Sequence, residues 1–344
     1  MLTQTELTQI REALEQSQNP LFFFDNDVDG LCSFLILQRA LGRGKGVAVK
    51  SFPELNAQYL RKINELNPDA VFILDKPQVG ADFIEGVEEK NLPLIWIDHH
   101  EVKIPKKLLE KISYYNSFPT SEPVTYLSQK VFNREQDLWL AMIGCIGDVY
   151  MPDFGEQFSK QNPELFPNPQ TPAFDSIYTT ELGKIIQMLN FGLKDTTTNV
   201  LRLIKLLIKA KSPHDILEEN YHTRPLHKRF NEINKTYQQL LSKAKAQIKK
   251  DEKIIFFTYA GETSISAEIA NELFFRNKNK FIVVAYKRPE KINISIRGQN
   301  AKKITEKAVN QIEGARGGGH EVATGAQIPS DKWEDFKEIL KKLV

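Results

Sequence analysis

Three of the first four short apolar runs in this chain are followed at once by an aspartate: residues 21–24 by Asp25, 70–74 by Asp75 and 92–97 by Asp98, while 47–52 forms the fourth run. Short apolar runs alternating with amphipathic stretches mark βα units feeding a parallel sheet whose strands are buried on both faces. Ligands of open α/β sheets bind beyond the carboxyl ends of the strands, so these three acids are expected to converge on one edge. The 344 residues exceed one ordinary domain, and 41% hydrophobic with 26% charged residues are globular values. The pattern predicts a parallel-sheet domain over residues 1–175, a helical linker over 176–250 and a smaller α/β domain over 251–344. Five prolines between residues 151 and 172 read as a loop closing the first sheet region. In the linker, Leu201, Ile204, Leu207 and Ile208 repeat at helical spacing, and residues 225–250 read as one long helix. Strands follow at 254–259, 281–286 and 292–296, with helices at 264–275, 302–312 and 330–343. The last helix carries a core-facing stripe of Trp333, Phe336, Ile339 and Leu340.

The first strand runs into Asp25-Asn26-Asp27-Val28-Asp29-Gly30. Three carboxylates so close repel strongly unless cations or protons neutralise them. Asp and Gly also suit a solvated turn, but the place after a buried strand favours a cation site. An EF-hand loop is excluded because Ile36 stands where its glutamate is needed. The sequence Ile97-Asp98-His99-His100 offers two imidazoles past a strand end, one able to bind metal while the other meets substrate. The apolar stretch 138–146 ends in Gly147-Asp148, where a lone acid would be costly to bury without a cation. Haloacid-dehalogenase phosphatases share the strand followed by Asp-x-Asp, and Gly147-Asp148 with Asp153 resembles their magnesium loop. They carry Thr or Val where Asp29 stands, however, and have no use for adjacent histidines.

Near the C-terminus come Ser295-Ile296-Arg297 and Arg316-Gly317-Gly318-Gly319-His320, followed by Ala323 and Gly325. With the acidic and histidine segments over roughly residues 20–150, these resemble the DHH phosphoesterase superfamily and its C-terminal DHHA1 domain. Asp25 stands where many relatives, including oligoribonucleases and inorganic pyrophosphatases, have His, which makes the first motif closest to the RecJ type. The resemblance implies a DHH domain over 1–175, a helical linker and a DHHA1 domain over 251–344. It also implies two divalent ions, Mn²⁺ first and Mg²⁺ second, one held by Asp25, Asp27 and Asp75 and the other by Asp29, Asp75, His99 and Asp148. His100 would touch a phosphate oxygen and Asp98 would orient the histidine pair, while Arg297, Gly317, Gly318, Gly319 and His320 would bind a terminal nucleotide. Five carboxylates carry about −5 and two divalent ions about +4, a balance that tolerates an incoming phosphate.

The expected activity is two-metal removal of nucleotides from an end of single-stranded DNA or RNA. Short oligonucleotides, cyclic dinucleotides or 3′-phosphoadenosine 5′-phosphate are the alternative substrates, and no oligonucleotide-binding barrel is expected after Val344. A further alternative is a replication scaffold without catalysis, against which every acidic and histidine position is intact. Lys and Arg outnumber Asp and Glu by only 46 to 44, so nucleic acid would have to meet a local patch. Residues 201–250, with 12 basic against 4 acidic residues, read either as a solvated helical face or as such a patch, in which Tyr221, His222, Arg224 and His227 would rim the cleft and stack on bases. Two cysteines, Cys32 and Cys145, fit a reducing compartment, and no apolar run is long enough to span a membrane. A cytoplasmic protein is expected, with replication or repair proteins as possible partners.

Overall fold

A computed structural model describes residues 1–50, 54–249 and 251–344. The chain divides into two units, Met1–Phe230 and Asn231–Val344, and the division falls within the helix Arg224–Ala246. The first unit is built on β1 (Pro20–Asp25), β2 (Lys45–Val49), β3 (Ala70–Leu74), β4 (Leu94–Asp98) and β5 (Ser113–Asn116). These strands lie in the order β2-β1-β3-β4-β5, and every neighbouring pair is parallel. The chain leaves β1 for β2 on one side, whereas β3 and β4 extend the sheet on the other. Right-handed crossovers therefore put the helices after β1 and β3 on opposite faces and open a crevice at the carboxyl ends of those two strands.

Alternation along β1 explains why its run is apolar throughout. Phe22 and Phe24 pack on Phe34 of the helix Val28–Leu41, with ring centroids 5.4 and 5.0 Å apart, and Phe22 also stacks on Phe72 of β3. Leu21 and Phe23 turn to the other face, against Phe83 and Ile84 of the helix Ala81–Glu88. Each buried phenylalanine contributes roughly 1.5–3 kcal/mol over an exposed one.

Several sequence expectations are corrected here. The fourth apolar run forms β2 only as far as Val49, and residues 51 and 52 lie outside the described residues, as does the last residue of the helix expected to reach 250. The stretch 151–172 holds the helix Gly155–Gln161, because Pro152 and Pro163 bracket that segment rather than interrupt it. In the helix Thr197–Lys209 the buried stripe is Val200, Leu203, Ile204 and Leu207, and Leu201 is 45% exposed. Apolar residues on both sides of that stripe blur its register. The helix Gln4–Gln16, at whose start Thr3 and Glu6 form a capping box, and β5 also lie outside the sequence expectations.

The second unit holds β6 (Ile254–Tyr259), β7 (Phe281–Lys287), β8 (Lys291–Arg297), β9 (Arg316–His320) and β10 (Ala323–Pro329), in the order β6-β7-β8-β10-β9. Only β6 and β7 pair in parallel; the others are antiparallel. Ile292, Ile294 and Ile296 face a core completed by Trp333, Phe336 and Leu340 of the helix Trp333–Leu343. The glycine run 317–319, expected to bind a terminal nucleotide, is part of the edge strand β9. No helix among the described residues is long and apolar enough to cross a membrane.

Candidate metal centre

Asp25 is the last residue of β1, Asp75 follows β3 and Asp98 ends β4, so three adjacent strands deliver carboxylates to one edge. Asp27 caps the helix Val28–Leu41 by accepting from the amide of Gly30 at 2.9 Å. A Cβ at residue 30 would lie 2.4 Å from the carbonyl oxygen of Asp25, so glycine is what lets this helix start against the strand end. Asp29 is buried in the first turn, and its two carboxylate oxygens accept from the amides of Val124 and Thr125 at 2.9 and 2.8 Å. It thereby caps the helix Val124–Phe132, whose own cap residue, Pro123, has no side-chain acceptor. Asp75 has a left-handed backbone with φ of 56°, a strained turn of the kind that concentrates at functional sites.

Donor atoms of Asp25, Asp27 and Asp75 lie within 4.8 Å of one another, as do those of Asp29, His99 and Asp148 and those of Asp75, His99 and His100. The ring of His99 explains the overlap of the last two sets. Its Nε2 is 3.2 Å from Asp75 Oδ1 and 3.9 Å from Asp29, while its Nδ1 is 3.7 Å from Asp148. Asp148, at the end of the helix Leu138–Gly147, comes in from the side of the sheet edge. His100 directs Nδ1 to Asp98 at 2.8 Å and lies 3.8 Å from Asp75. Asp153 is outside the cluster, paired with Lys130 at 2.7 Å, which removes the haloacid-dehalogenase reading of that acid.

Electrostatics follow from this crowding. Burial pushes Asp27 up to about 7, reinforced by the charges of Asp25 and Asp29. Burial likewise raises Asp148 to about 7 against the opposing pull of His99, and holds Asp75 well above the usual carboxylate range. For His99, burial alone would lower the pKa, but Asp148, Asp29 and Asp98 outweigh it and raise it. Such a set holds protons until a cation displaces them.

In the second unit, Arg297 of β8 pairs in register with Ala323 of β10, which pairs with His320 of β9. Side chains of paired residues share a face, so Arg297 and His320 flank a gap over the small Ala323. The next row on that face is Ser295, Gly325 and Gly318. Nothing lies within 4 Å of where a Cβ of Gly318 would stand. Gly317 and Gly319 face the opposite way, and a Cβ on Gly317 would meet the Gly325 carbonyl at 2.8 Å and Thr305 at 3.1 Å. Only Gly318 of the three therefore opens onto the polar face; the other two glycines serve packing. Arg297 donates to the side chain of Asn271 and to the carbonyls of Ile296 and Thr324.

Residues 21–146 match the DHH family, N-terminal domain, and residues 251–344 match the DHHA1 domain. The chain belongs to the DHH/DHHA1 superfamily. No curated protein matches it. Among solved structures, RecJ from Thermus thermophilus in complex with Mn²⁺ is similar over 99% of this chain and 55% of its own, at 14% identity and a TM-score of 0.70. Exonuclease RecJ bound to manganese is similar over 99% of this chain and 95% of its own, at 16% identity and a TM-score of 0.68. The pGpG-specific phosphodiesterase PggH from Vibrio cholerae follows over 94% and 98%, at 13% identity and a TM-score of 0.52. At such identities the likeness is one of fold, and the chain spans about half the length of the Thermus protein.

The DHH edge fits divalent ions on its own evidence. Asp75 Oδ1 is buried and makes no hydrogen bond, although the ring nitrogens of His99 and His100 lie 3.2 and 3.8 Å away. Oxygen and imidazole donors without thiolate suit a hard or borderline ion, and both cysteines are buried outside the three donor sets. One member was missed by the sequence reading. Lys76, 2% exposed, donates from Nζ to Asp25 Oδ1 at 2.8 Å and to the carbonyl of Lys50 at 3.1 Å. Its adjacency to Asp75 was the available signal.

Proposed function

We propose that this DHH/DHHA1 chain is a metal-dependent phosphodiesterase that removes nucleotides from an end of single-stranded DNA or RNA. The observation that carries the reading is the overlap of the three donor sets, in which Asp75 and His99 each belong to two. That overlap supports two ions close enough to act on one phosphate, with Mn²⁺ preferred and Mg²⁺ second. Asp25, Asp27 and Asp75 would hold one ion, and Asp29, Asp75, His99 and Asp148 the other. When bound, divalent ions supply Lewis acidity, activating water and countering the charge that develops on the phosphate oxygens.

The chain's own residues do the rest. Asp98 accepts from Nδ1 of His100 and holds the ring, leaving Nε2 for a phosphate oxygen. Asp29, fastened to two helix amides, cannot swing away when a ligand enters. Arg297, Gly318 and His320 form a polar face suited to the terminal nucleotide, the arginine as a planar donor and Gly318 as exposed backbone.

A basic groove supports a polymeric substrate over a dinucleotide. A concavity of about 980 Å³ in the first unit is lined by Arg202, Lys205, Lys209, Arg224, Lys228 and Arg229 against Asp195, Asp215 and Glu218, a basic excess, with Tyr221 beside them 83% exposed. Asn26, between Asp25 and Asp27, donates to the carbonyl of Leu193, next to the groove residue Gly192. His227, expected on this rim, instead turns inward to the carbonyl of Ile216 at 2.9 Å. End-labelled single strands of graded length, incubated with Mn²⁺, test the reading. A mononucleotide ladder with circular strands resistant is expected, whereas cleavage confined to dinucleotides would replace it with the small-substrate activity.

A further inference from the structure

We propose that Lys76 is a built-in competitor for one of the two ion positions, so that the chain holds one divalent ion tightly at the His99 side and the other weakly at Asp25. The inference rests on the two-ion reading above but not on the substrate assigned there.

The side chain of Lys76 lies across three strand ends. Leu74, two residues before it, closes β3 in register with Phe24 of β1, and Asp25 is in register with Val49 of β2. From the β3 end, Nζ reaches Asp25 at the end of β1 and the carbonyl of Lys50 beyond β2. Two acceptors, one at the end of β1 and one just past β2, fix the ammonium, and the side chains of Lys76 and Asp25 are only 3% and 15% exposed. A dehydrated ammonium needs such pairing, so it is not released cheaply.

The same Asp25 belongs to the donor set with Asp27 and Asp75. An ion entering there meets a carboxylate whose Oδ1 is already neutralised, and a fixed positive charge repels it at close range. Asp29 accepts from backbone amides rather than from a lysine, and its carboxylate, with His99 and Asp148, forms another donor set among the described residues. The two positions therefore differ by one nearby unit charge, and that charge is supplied by the chain itself.

Titration with Mn²⁺ alone, followed by calorimetry and by the electron paramagnetic resonance of the bound ion, tests this without substrate. Wild type should bind a first ion at least tenfold more tightly than a second, with the spectrum of an isolated ion at one equivalent. Lys76→Met should strengthen the second step at least tenfold and give a spin-coupled pair at two equivalents, while Lys76→Arg keeps the asymmetry. Two wild-type steps of equal affinity overturn the inference, even if Lys76→Met does not fold. Unequal steps left unchanged by Lys76→Met overturn it as well. A failed nuclease assay with this titration intact would remove the substrate reading alone.

Discussion

At the carboxyl edge of the first sheet, carboxylates crowd until Asp27 and Asp148 are pushed to about 7; across β8, β10 and β9 of the second, the candidate face consists largely of missing side chains. The first region crowds more carboxylates than it can keep ionised, so its acids hold protons that a cation could displace. The second leaves a shallow floor at Ala323, Gly325 and Gly318 between Arg297 and His320, with little electrostatic tension to relieve. Chemistry that must polarise a phosphate needs the former, and holding a nucleotide in place needs only the latter.

The harshest test of this contrast is Asp75→Ala. Loss of a ligand shared by two donor sets should lower kcat roughly a thousandfold or more, with calorimetry showing impaired binding of both ions. Near-normal activity there, together with an inactive Asp148→Ala, would move the shared ligand to Asp148. His100→Ala should lower kcat roughly a hundredfold while Mn²⁺ affinity is kept, because the ring acts on the substrate more than on the ions. Mn²⁺ affinity falling in step with kcat would make His100 a ligand.

On the second sheet the effects should be smaller and fall on binding. Arg297→Ala should raise KM about tenfold with kcat nearly unchanged. Gly318→Val should do the same by filling the open floor, whereas Gly317→Val should lower the melting temperature instead, since its side chain would strike the Gly325 carbonyl. If both glycine variants acted on KM alone, the division of faces would be wrong.

The mildest effect concerns pH. Without metal, the folded chain holds the protons of Asp27 and Asp148 up to about 7, against an ordinary value of 3.8. Their contribution to stability is thus complete below about 4 and is lost as pH rises through about 7. Mn²⁺ displaces those protons, so the rise in Tm that it produces should grow from pH 5.5 to 8 by roughly 2–4 °C. A rise in Tm independent of pH would mean that the acids are ionised before metal arrives.

The acidic edge was legible because two local signals coincide at each position: an apolar run and an aspartate directly after it. The parallel sheet and the convergence of Asp25, Asp75 and Asp98 came from that coincidence, whereas the full donor set and the C-terminal motifs came from the resemblance to the DHH and DHHA1 families. The edge strand β9 was hidden because glycines carry no alternation, and its partner β10 lies downstream. Asp29 read as a ligand only, since the amides that it caps are 95 and 96 residues away. The groove stripe slipped by a position because Leu201 is apolar yet exposed.

By itself the sequence determined which residues bring charge to the strand ends, since a strand fixes the direction of the residue that follows it. Only the tertiary structure decided which charges meet. It set Lys76, past the end of β3, against Asp25 at the end of β1, divided the three glycines between two faces of a sheet, and gave Asp29 its distant helix. Those outcomes depend on strand order and register, which are set by the packing of whole layers, whereas local residue patterns act over a few positions.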